Sequence, residues 1–546
     1  MTENPFKMVY SKLCNDHKNG VMSDREYVMN LIMNNVVFKD ILLKNNKVIY
    51  NVYFSKKYNI PKLKLKNLEH FNMVLDRINV ENEKYVISFF LQYCFVPSIF
   101  YENEEEIIED RKYYNDIYDI LIDRLKGNIY TSLYNLACYM PVNYVYFFVY
   151  QGYNDKELYS KVCKVMRKIC YPFNNINNTI NIRKSDKIRV AFMGNFITLN
   201  HSVNGDRFGI YYGLKKNEKF EVDIITYTGE DKQVTQFFEE HDNYITKYNS
   251  KKLAQNYKIL LRGNYDIIIY TEIGMDPLFR YLAFERLAPI QINTWGHSET
   301  SGLDSIDYYI SSKYFEDEEA QENYSEKLIL TNSLCTYYYN KEVEFMTEEE
   351  LYRIKLTNNL TLYNVYGCFQ LFHKMHPEFL DYLKEITIKD EKAMILLLDY
   401  DELSDEYIKY VKNKVSNVIF VHKASYKIYS HYYELCDVIL DAPNFGGCNT
   451  TIDSFLKNKI VITKKSKLLH SNFTKGFYKK MNIDEFICES KEEYIAKAID
   501  IVYNKEKRLY YEMLINERKN LIFEEQESID EWANILENLY NKYYDV

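Results

Sequence analysis

After residue 187 the chain settles into a rhythm that leaves few folds open. Short apolar runs, each closed by a Gly, an Asn or a polar turn, alternate with stretches of helical spacing. KIRVAFMG opens the series, and FEVDIITYTG, YDIIIYTEIG, APIQINTWG, IDYYISS and EKLILT follow. A second series begins near Leu356, with NLTLYNVY, KAMILLLDY, NVIFVH, DVILDA and KIVITK as strands. HPEFLDYLKEI, YKIYSHYYELC and TTIDSFLKN are the helical spacers of that series. Runs this apolar want both faces covered, which is the grammar of parallel strands joined by helical crossovers. The expectation is an α/β fold with two Rossmann-like units facing each other across a cleft, 185–345 and 346–546. The second unit carries the C-terminal helices. Ligands of such sheets gather beyond the carboxyl ends of the strands, beside helix N-termini.

Residues 1–184 read otherwise. Their spacing is helical, with polar breaks at DRKYYND and YQGYND, and the Asn-rich stretch 171–187 reads as a linker out of an α-helical N-terminal domain. Two uncharged stretches, 85–101 and 127–154, invite a membrane test. A spanning helix needs ~20 predominantly apolar residues. Gln92 and Pro97 interrupt the first, and Asn135, Pro141, Asn143 and Gln151 the second, so buried helices are expected.

Charge and cysteine usage remove other classes. The net charge is −9, and the Lys464, Lys465 and Lys467 patch is short, so a nucleic-acid partner is not expected. Tyr is abundant (55) and Gly scarce (16), a bias of the whole chain that carries no stacking function. The ten Cys are scattered with no C-x-x-C pair, which reads as reduced thiols in a cytoplasmic protein without a zinc site. The first residues also lack a secretory pattern.

Four places are suited to chemistry. In DVILDAPNFGGCNTTIDSFLKNKIVIT (437–463) a strand ends, a Gly-containing loop follows, and Asn449, Thr450 and Thr451 open a helix. A helix start of this kind suits a diphosphate, with Asp453 on its first turn placed for sugar or ribose hydroxyls; an ordinary capped helix is the alternative. Lys374 lies between a strand and a helix beginning at Pro377, either within reach of a phosphate or solvated at the surface. GHSETSG presents His297 among small residues, which reads as exposed, and NHSVNGDRF offers His201, Asp206 and Arg207. The Asp-x-Asp of LLLDYDE is a chance match in so acidic a chain, and FMGNFI lacks the dinucleotide fingerprint.

At these same residues the chain resembles the O-GlcNAc transferase family, glycosyltransferase family 41, and within it the bacterial cytoplasmic N-glucosyltransferases that modify adhesins. IGMD, RLAPIQ, GHSETSG with IDYYI, YSEKLILT, KMHPEFLDYLKEI, CDVILDAPNFGGCNTTID and EYIAKAIDIV recur in the family's order over about 190–505. The resemblance implies a GT-B fold, a UDP-sugar donor of glucose or N-acetylglucosamine, inversion at the anomeric carbon and no metal or other cofactor. It implies a protein Asn, Ser or Thr side chain, or a glycan, as acceptor. Carried over by motif, Lys374 contacts the β-phosphate, Asn449, Thr450 and Thr451 hold the diphosphate, and Asp453 holds the ribose. The HKASY loop, with Ala424 and Tyr426, faces the uracil, and His297 and His201 sit on the acceptor side as catalytic candidates. The chain departs from the pattern at Ser298 (usually Pro), at Cys448 (His in O-GlcNAc transferases), and at Tyr426 and Tyr429 (Lys and His in some members). Asp206 or Arg207 stands where the bacterial branch has a second His. A scaffold that has lost turnover and binds a partner through its helical region is the rival from another class.

Overall fold

The computed structural model describes residues 68, 97, 100–124, 145–169, 186–195, 202–226, 245–247, 260–399, 405–422 and 425–544. Two parallel sheets organise them. The first contains β1 (Ile188–Met193), β2 (Phe220–Thr226), β3 (Ile245–Lys247), β4 (Ile267–Tyr270), β5 (Ile290–Asn293), β6 (Tyr308–Ser312) and β7 (Lys327–Thr331). The second contains β8 (Asn364–Cys368), β9 (Ala393–Asp399), β10 (Val418–His422), β11 (Val438–Leu440), β12 (Val461–Lys464) and β13 (Ile487–Cys488). All residues of β4, β5 and β9 are buried, as strands covered on both faces require.

The strand orders locate the ligand crevices. The first sheet runs β3-β2-β1-β4-β5-β6-β7, and the second runs β10-β9-β8-β11-β12-β13. In each, the direction of winding reverses beside a central strand, between β1 and β4 and between β8 and β11. Register is set there by pairs such as Val190↔Ile267 and Val438↔Tyr366. The loops that leave β8 and β11 diverge at that point and open a crevice.

Seven helices matter below: α1 (Glu104–Arg124), α2 (Lys156–Ile169), α3 (Ser202–Lys216), α4 (Pro377–Lys389), α5 (Tyr426–Leu435), α6 (Asn449–Leu456) and α7 (Gln526–Tyr544). Pro377 at the first turn of α4 and the His376 Nδ1, which accepts from the Glu378 N–H at 3.2 Å, start that helix. Within the described part of the N-terminal region, α1 packs on α2, and α2 joins the first sheet through Tyr159, Val162 and Met166 against Ile268 and Leu303. Gly302 makes this contact possible. Its φ is +67°, and a Cβ there would lie 2.4 Å from the Tyr159 Cβ.

The last helix returns to the beginning. α7 packs on α3, β5 and β7, and buries Trp532 beside Phe192 with its Nε1 donating to Cys335 O at 3.1 Å. A core side chain of that size is worth about 3–5 kcal/mol against alanine. The two units also share apolar contacts: Trp295 of the first meets Phe473 of the second with ring centres 5.4 Å apart.

Candidate active site

The loop that follows β11 and the turn that follows β8 meet at the second sheet's crevice. Asp441, the last residue before the loop, is buried and accepts from the Gly447 N–H (2.6 Å), Gln370 Nε2 (2.6 Å) and the Thr463 hydroxyl (2.9 Å). Burial raises its pKa, and these donors act the other way. Three bonds from three elements hold the Gly446–Gly447 turn in one place. The position of the loop is thus set by a strand-ending carboxylate and by Gln370, neither of which stood out in the sequence.

The same loop delivers an open helix end. Cys448 occupies the N-cap of α6 without a side-chain cap bond, and its Sγ lies 3.1 Å from the Tyr338 hydroxyl instead. The backbone N–H groups of Asn449, Thr450 and Thr451 meet no acceptor among the described residues. Such an end carries roughly half a positive charge. The alternative of an ordinary capped helix therefore does not apply, because neither Asn449 nor Thr450 is the cap. Asn449 and Thr450 are part-exposed, whereas the Thr451 hydroxyl turns inward to Gly447 O (2.8 Å) and Thr474 Oγ1 (2.7 Å).

Lys374 stands beside this end. It closes a short 3₁₀ turn, Phe372–Lys374, and its Nζ donates to Gly446 O at 3.1 Å while lying 4.2 Å above the centre of the Phe445 ring. Burial pushes its pKa down to about 8, opposed by the charge of Asp441. Among the described residues no carboxylate forms an ion pair with it. A cation held by a carbonyl and an aromatic face, next to an uncapped helix, is a site short of an anion.

Around Lys374 stand three imidazoles that burial keeps neutral. His297 is pushed down to about 3, with His470 a second cause; His373 to about 3, with Lys374 a second cause; and His470 to about 4. Each has an aromatic neighbour. His297 stacks on Tyr146 (4.7 Å, 13°), His373 meets Tyr150 at 4.3 Å, and His470 stacks on Phe445 (5.2 Å, 15°). Lys374 thus stands among neutral imidazoles, with the buried Asp441 behind the loop as its opposing charge.

His297 corrects the sequence reading that made it exposed. It is 4% exposed, because residues 145–152 of the N-terminal region cover it, and its Nε2 lies 3.1 Å from Tyr146 O. Gly274, from IGMD, makes room for the ring: a Cβ there would lie 2.4 Å from His297 Cδ2. The segment with Tyr146 and Tyr150 had offered no chemical signal in the sequence. His373 and His470 were equally unmarked, one beside Lys374 and the other in LLHSN.

The remaining candidates divide. Asp453 lies on the second turn of α6, not the first as its sequence position suggested, because the helix opens at Asn449; it accepts from the Tyr426 hydroxyl at 2.7 Å and is pushed up to about 6 by burial. Tyr426, half exposed, opens α5. Across the crevice, Gly205 of α3 approaches Asn449, whose Oδ1 would be 3.9 Å from a Cβ at 205. Asp206 is pushed up to about 7 by burial against the charge of Arg207, and the Arg207 guanidinium lies 4.3 Å over the Trp295 ring. His201 and Ala424 lie outside the described residues, as does Asp401 of the Asp-x-Asp pair. Its partner Asp399 ends β9 with Oδ2 3.6 Å from His422 Nδ1. Among the described residues no three His, Cys, Asp or Glu side chains cluster as metal ligands, and no helix is long and apolar enough to cross a membrane.

Comparison with known proteins bears on this arrangement. No family model matches the chain. A UDP-glucose:protein N-beta-glucosyltransferase of Actinobacillus pleuropneumoniae is 25% identical over 281 residues, 50% of this chain and 44% of that protein. A probable UDP-N-acetylglucosamine–peptide N-acetylglucosaminyltransferase of Arabidopsis thaliana is 23% identical over 314 residues, 55% of this chain and 31% of that protein. The chain therefore spans less than half the length of these curated relatives. Among solved structures, a mutant of the Thermobaculum terrenum O-GlcNAc transferase superposes with a TM-score of 0.62 at 15% identity, covering 85% of this chain and 91% of that one. The two comparisons agree: over about half its length the chain is similar in sequence to UDP-sugar:protein glycosyltransferases, and it shares the fold of the O-GlcNAc transferase.

Proposed function

We propose that the protein transfers a sugar from a UDP-sugar to a protein side chain, with inversion at the anomeric carbon and without a metal ion. The observation that carries this reading is the pairing of Lys374 with the uncapped start of α6. A departing diphosphate needs positive charge placed beforehand, in a site where water does not dilute it. One lysine, three free N–H groups and the helix dipole supply it, which is the task a divalent cation performs in other transferases. Asp453 is placed for ribose hydroxyls and Tyr426 for the base edge, in support of a nucleoside diphosphate over a simple phosphate. In this reading Asn449 and Thr450 contact the diphosphate through side chain and backbone, and Thr451 through its backbone N–H.

His297 faces the same space from the first unit, and its bond to Tyr146 O leaves it the Nε2–H tautomer with a lone pair on Nδ1. Neutral and held in that tautomer, the imidazole offers the Nδ1 lone pair as a proton acceptor. The acceptor nucleophile would attack C1 from the face opposite the diphosphate, on the His297 side. Glucose and N-acetylglucosamine are both in keeping with the relatives, and an Asn, Ser or Thr side chain is the acceptor in this reading. The test is thermal: UDP should raise the melting temperature equally with and without EDTA. A shift that appears only with added Mn²⁺ would overturn the metal-free part of the proposal.

A further inference from the structure

The helical region touches both units, one on each side of the crevice. It holds the first unit through α2: Gly302 admits Tyr159, the Tyr159 hydroxyl reaches the Glu299 carboxyl, and Arg167 Nε donates to Asp304 Oδ1 at 2.9 Å. It holds the second unit from Phe100, whose ring meets Tyr407 and Tyr410 of the helix Asp405–Lys414 edge to face, centres 5.1 and 4.8 Å apart. The Tyr410 hydroxyl also donates to Glu102 O at 3.2 Å, and Glu104 Oε2 lies 3.5 Å from His376 Nε2 at the start of α4.

Between these two anchorages residues 145–151 reach into the candidate donor site. On the helical side, Val145 O accepts from the Tyr159 hydroxyl at 2.9 Å, and the Phe148 ring meets Tyr114 edge-on at 5.2 Å. On the other side Tyr146 lies flat on His297, while the Tyr150 ring centre is 4.3 Å from that of His373 and 4.7 Å from that of Phe445. The hydroxyls of Tyr146 and Tyr150 are joined at 3.0 Å. Gly152 ends the segment with φ +75°, pressed on the loop after β11, where a Cβ would lie 2.7 Å from Asn444 Nδ2.

A hexose joined through C1 to a diphosphate at Lys374 and the α6 start, and attacked from the His297 side, must lie between Lys374 and His297. The rings of the segment and of Phe445 already fill that space. The His297 and Phe445 centres are 6.5 Å apart, Tyr150 lies 6.0 Å from His297, and Phe445 carries Lys374 Nζ at 4.2 Å. Carbon atoms in contact sit ~3.5–4.0 Å apart, so rings at these spacings leave no layer for a sugar.

We propose that the helical region is an autoinhibitory clasp, anchored on the first unit and bridging the crevice to the second, whose residues 145–151 must leave Phe445 and His373 before the hexose of a UDP-sugar can enter. The proposal rests on the UDP-sugar reading above. The segment is lightly built. The backbone bonds Phe148 N to Val145 O, Tyr150 N to Phe147 O and Gly152 N to Val149 O are 3.2, 3.4 and 3.5 Å, at or beyond the long end of the usual range. Its grip on the second unit is ring against ring, which separates without breaking a charge pair. A contact that must open before binding lowers the apparent affinity by the fraction of molecules that are open. That cost falls on the sugar-bearing nucleotide, because UDP alone reaches Lys374 and α6 without entering the hexose space.

The experiment uses the full chain, with Y150A to remove the ring on Phe445 and F100A to loosen the clasp at a partly buried position away from the site. Diethyl pyrocarbonate labelling, located by peptide mass spectrometry, reads the exposure of His297, His373 and His470, with the exposed His422 as reference. Calorimetry gives the affinities for UDP, UDP-glucose and UDP-N-acetylglucosamine. In both variants the three histidines should label at least about five-fold faster than in wild type. At least one UDP-sugar should bind about five-fold tighter or more, with UDP within about two-fold. Labelling or UDP-sugar affinity that stays at the wild-type value overturns the clasp. Weaker UDP-sugar binding with UDP unchanged also overturns it, and makes the two tyrosines a fixed wall of the sugar site. Should Y150A fail to fold, F100A decides. Should the wild type bind neither UDP nor a UDP-sugar, the glycosyl-transfer reading fails by itself, and the labelling rates still decide whether the clasp exists.

Discussion

Replacing Lys374 by Ala removes the lysine charge beside the start of α6, and the structure gives the consequence a size and a sign. Burial holds its pKa near 8, where a free lysine has 10.5, so its surroundings disfavour the charged form by about 3 kcal/mol. A lysine with a depressed folded pKa destabilises the fold below about pH 8, and stability rises with pH from there toward 10.5, because the unfolded chain binds the proton more tightly. Lys374→Ala should therefore melt no lower than wild type at neutral pH and lose that pH dependence. Function moves the opposite way. A hydrogen bond to a charged group is worth ~1.5–3 kcal/mol, so UDP affinity should fall roughly ten-fold or more. Loss of a preorganised donor at a developing charge costs about 2.7–4 kcal/mol in the transition state, or ~10²–10³ in kcat. The assay pairs calorimetric UDP titration and UDP-release kinetics with melting curves across the pH range. An active Lys374→Ala enzyme, or one that melts well below wild type, would return Lys374 to the role of a structural bond to Gly446.

Three further outcomes follow from named contacts. His297→Ala should lower transfer at least ten-fold, ~1.4 kcal/mol of transition-state stabilisation, while calorimetric UDP affinity stays within about three-fold; equal losses in both would place His297 on the donor instead. Asp453, pushed up to about 6, loses its charge as pH falls through that value, so UDP affinity should decline below about pH 6, and Asp453→Asn should bind weakly with no such decline. An affinity profile that is flat there in the wild type contradicts a ribose contact. Gly302→Ala combines a left-handed φ with a Cβ 2.4 Å from Tyr159, and should cost at least about 2 kcal/mol, seen as a lower melting temperature; melting within about 1 °C of wild type would mean that α2 moves aside freely.

Much of this architecture was legible because it depends on local rules. β4 and β9 are buried throughout, and β9 is apolar up to its terminal Asp399, as doubly covered strands require; the reversal beside β8 puts Lys374 and the Gly446–Gly447 loop at one crevice. The α6 start was visible as small and polar residues after a strand. What escaped was non-local. His297 looked exposed among small residues, since nothing near it in sequence announces Tyr146, which arrives from 151 residues upstream. α7 belongs to the first sheet through Trp532 and Phe192, a pairing that chain order does not disclose. Gln370 and Asp441 support the loop from inside, and a buried Gln and a strand-ending Asp look the same in sequence whether or not they hold a ligand loop. His373 and His470 share that obscurity, for a histidine becomes informative only when its neighbours are known.

The measurement that bears most directly on the account is sugar transfer itself. Purified protein, treated with EDTA, is incubated with UDP-glucose or UDP-N-acetylglucosamine and candidate acceptor proteins, and the products are read by intact and peptide mass spectrometry. The account predicts one hexose or N-acetylhexosamine on an acceptor side chain, UDP released in equal amount, and neither product with Lys374→Ala. UDP binding without any transfer, undiminished in Lys374→Ala, would contradict it.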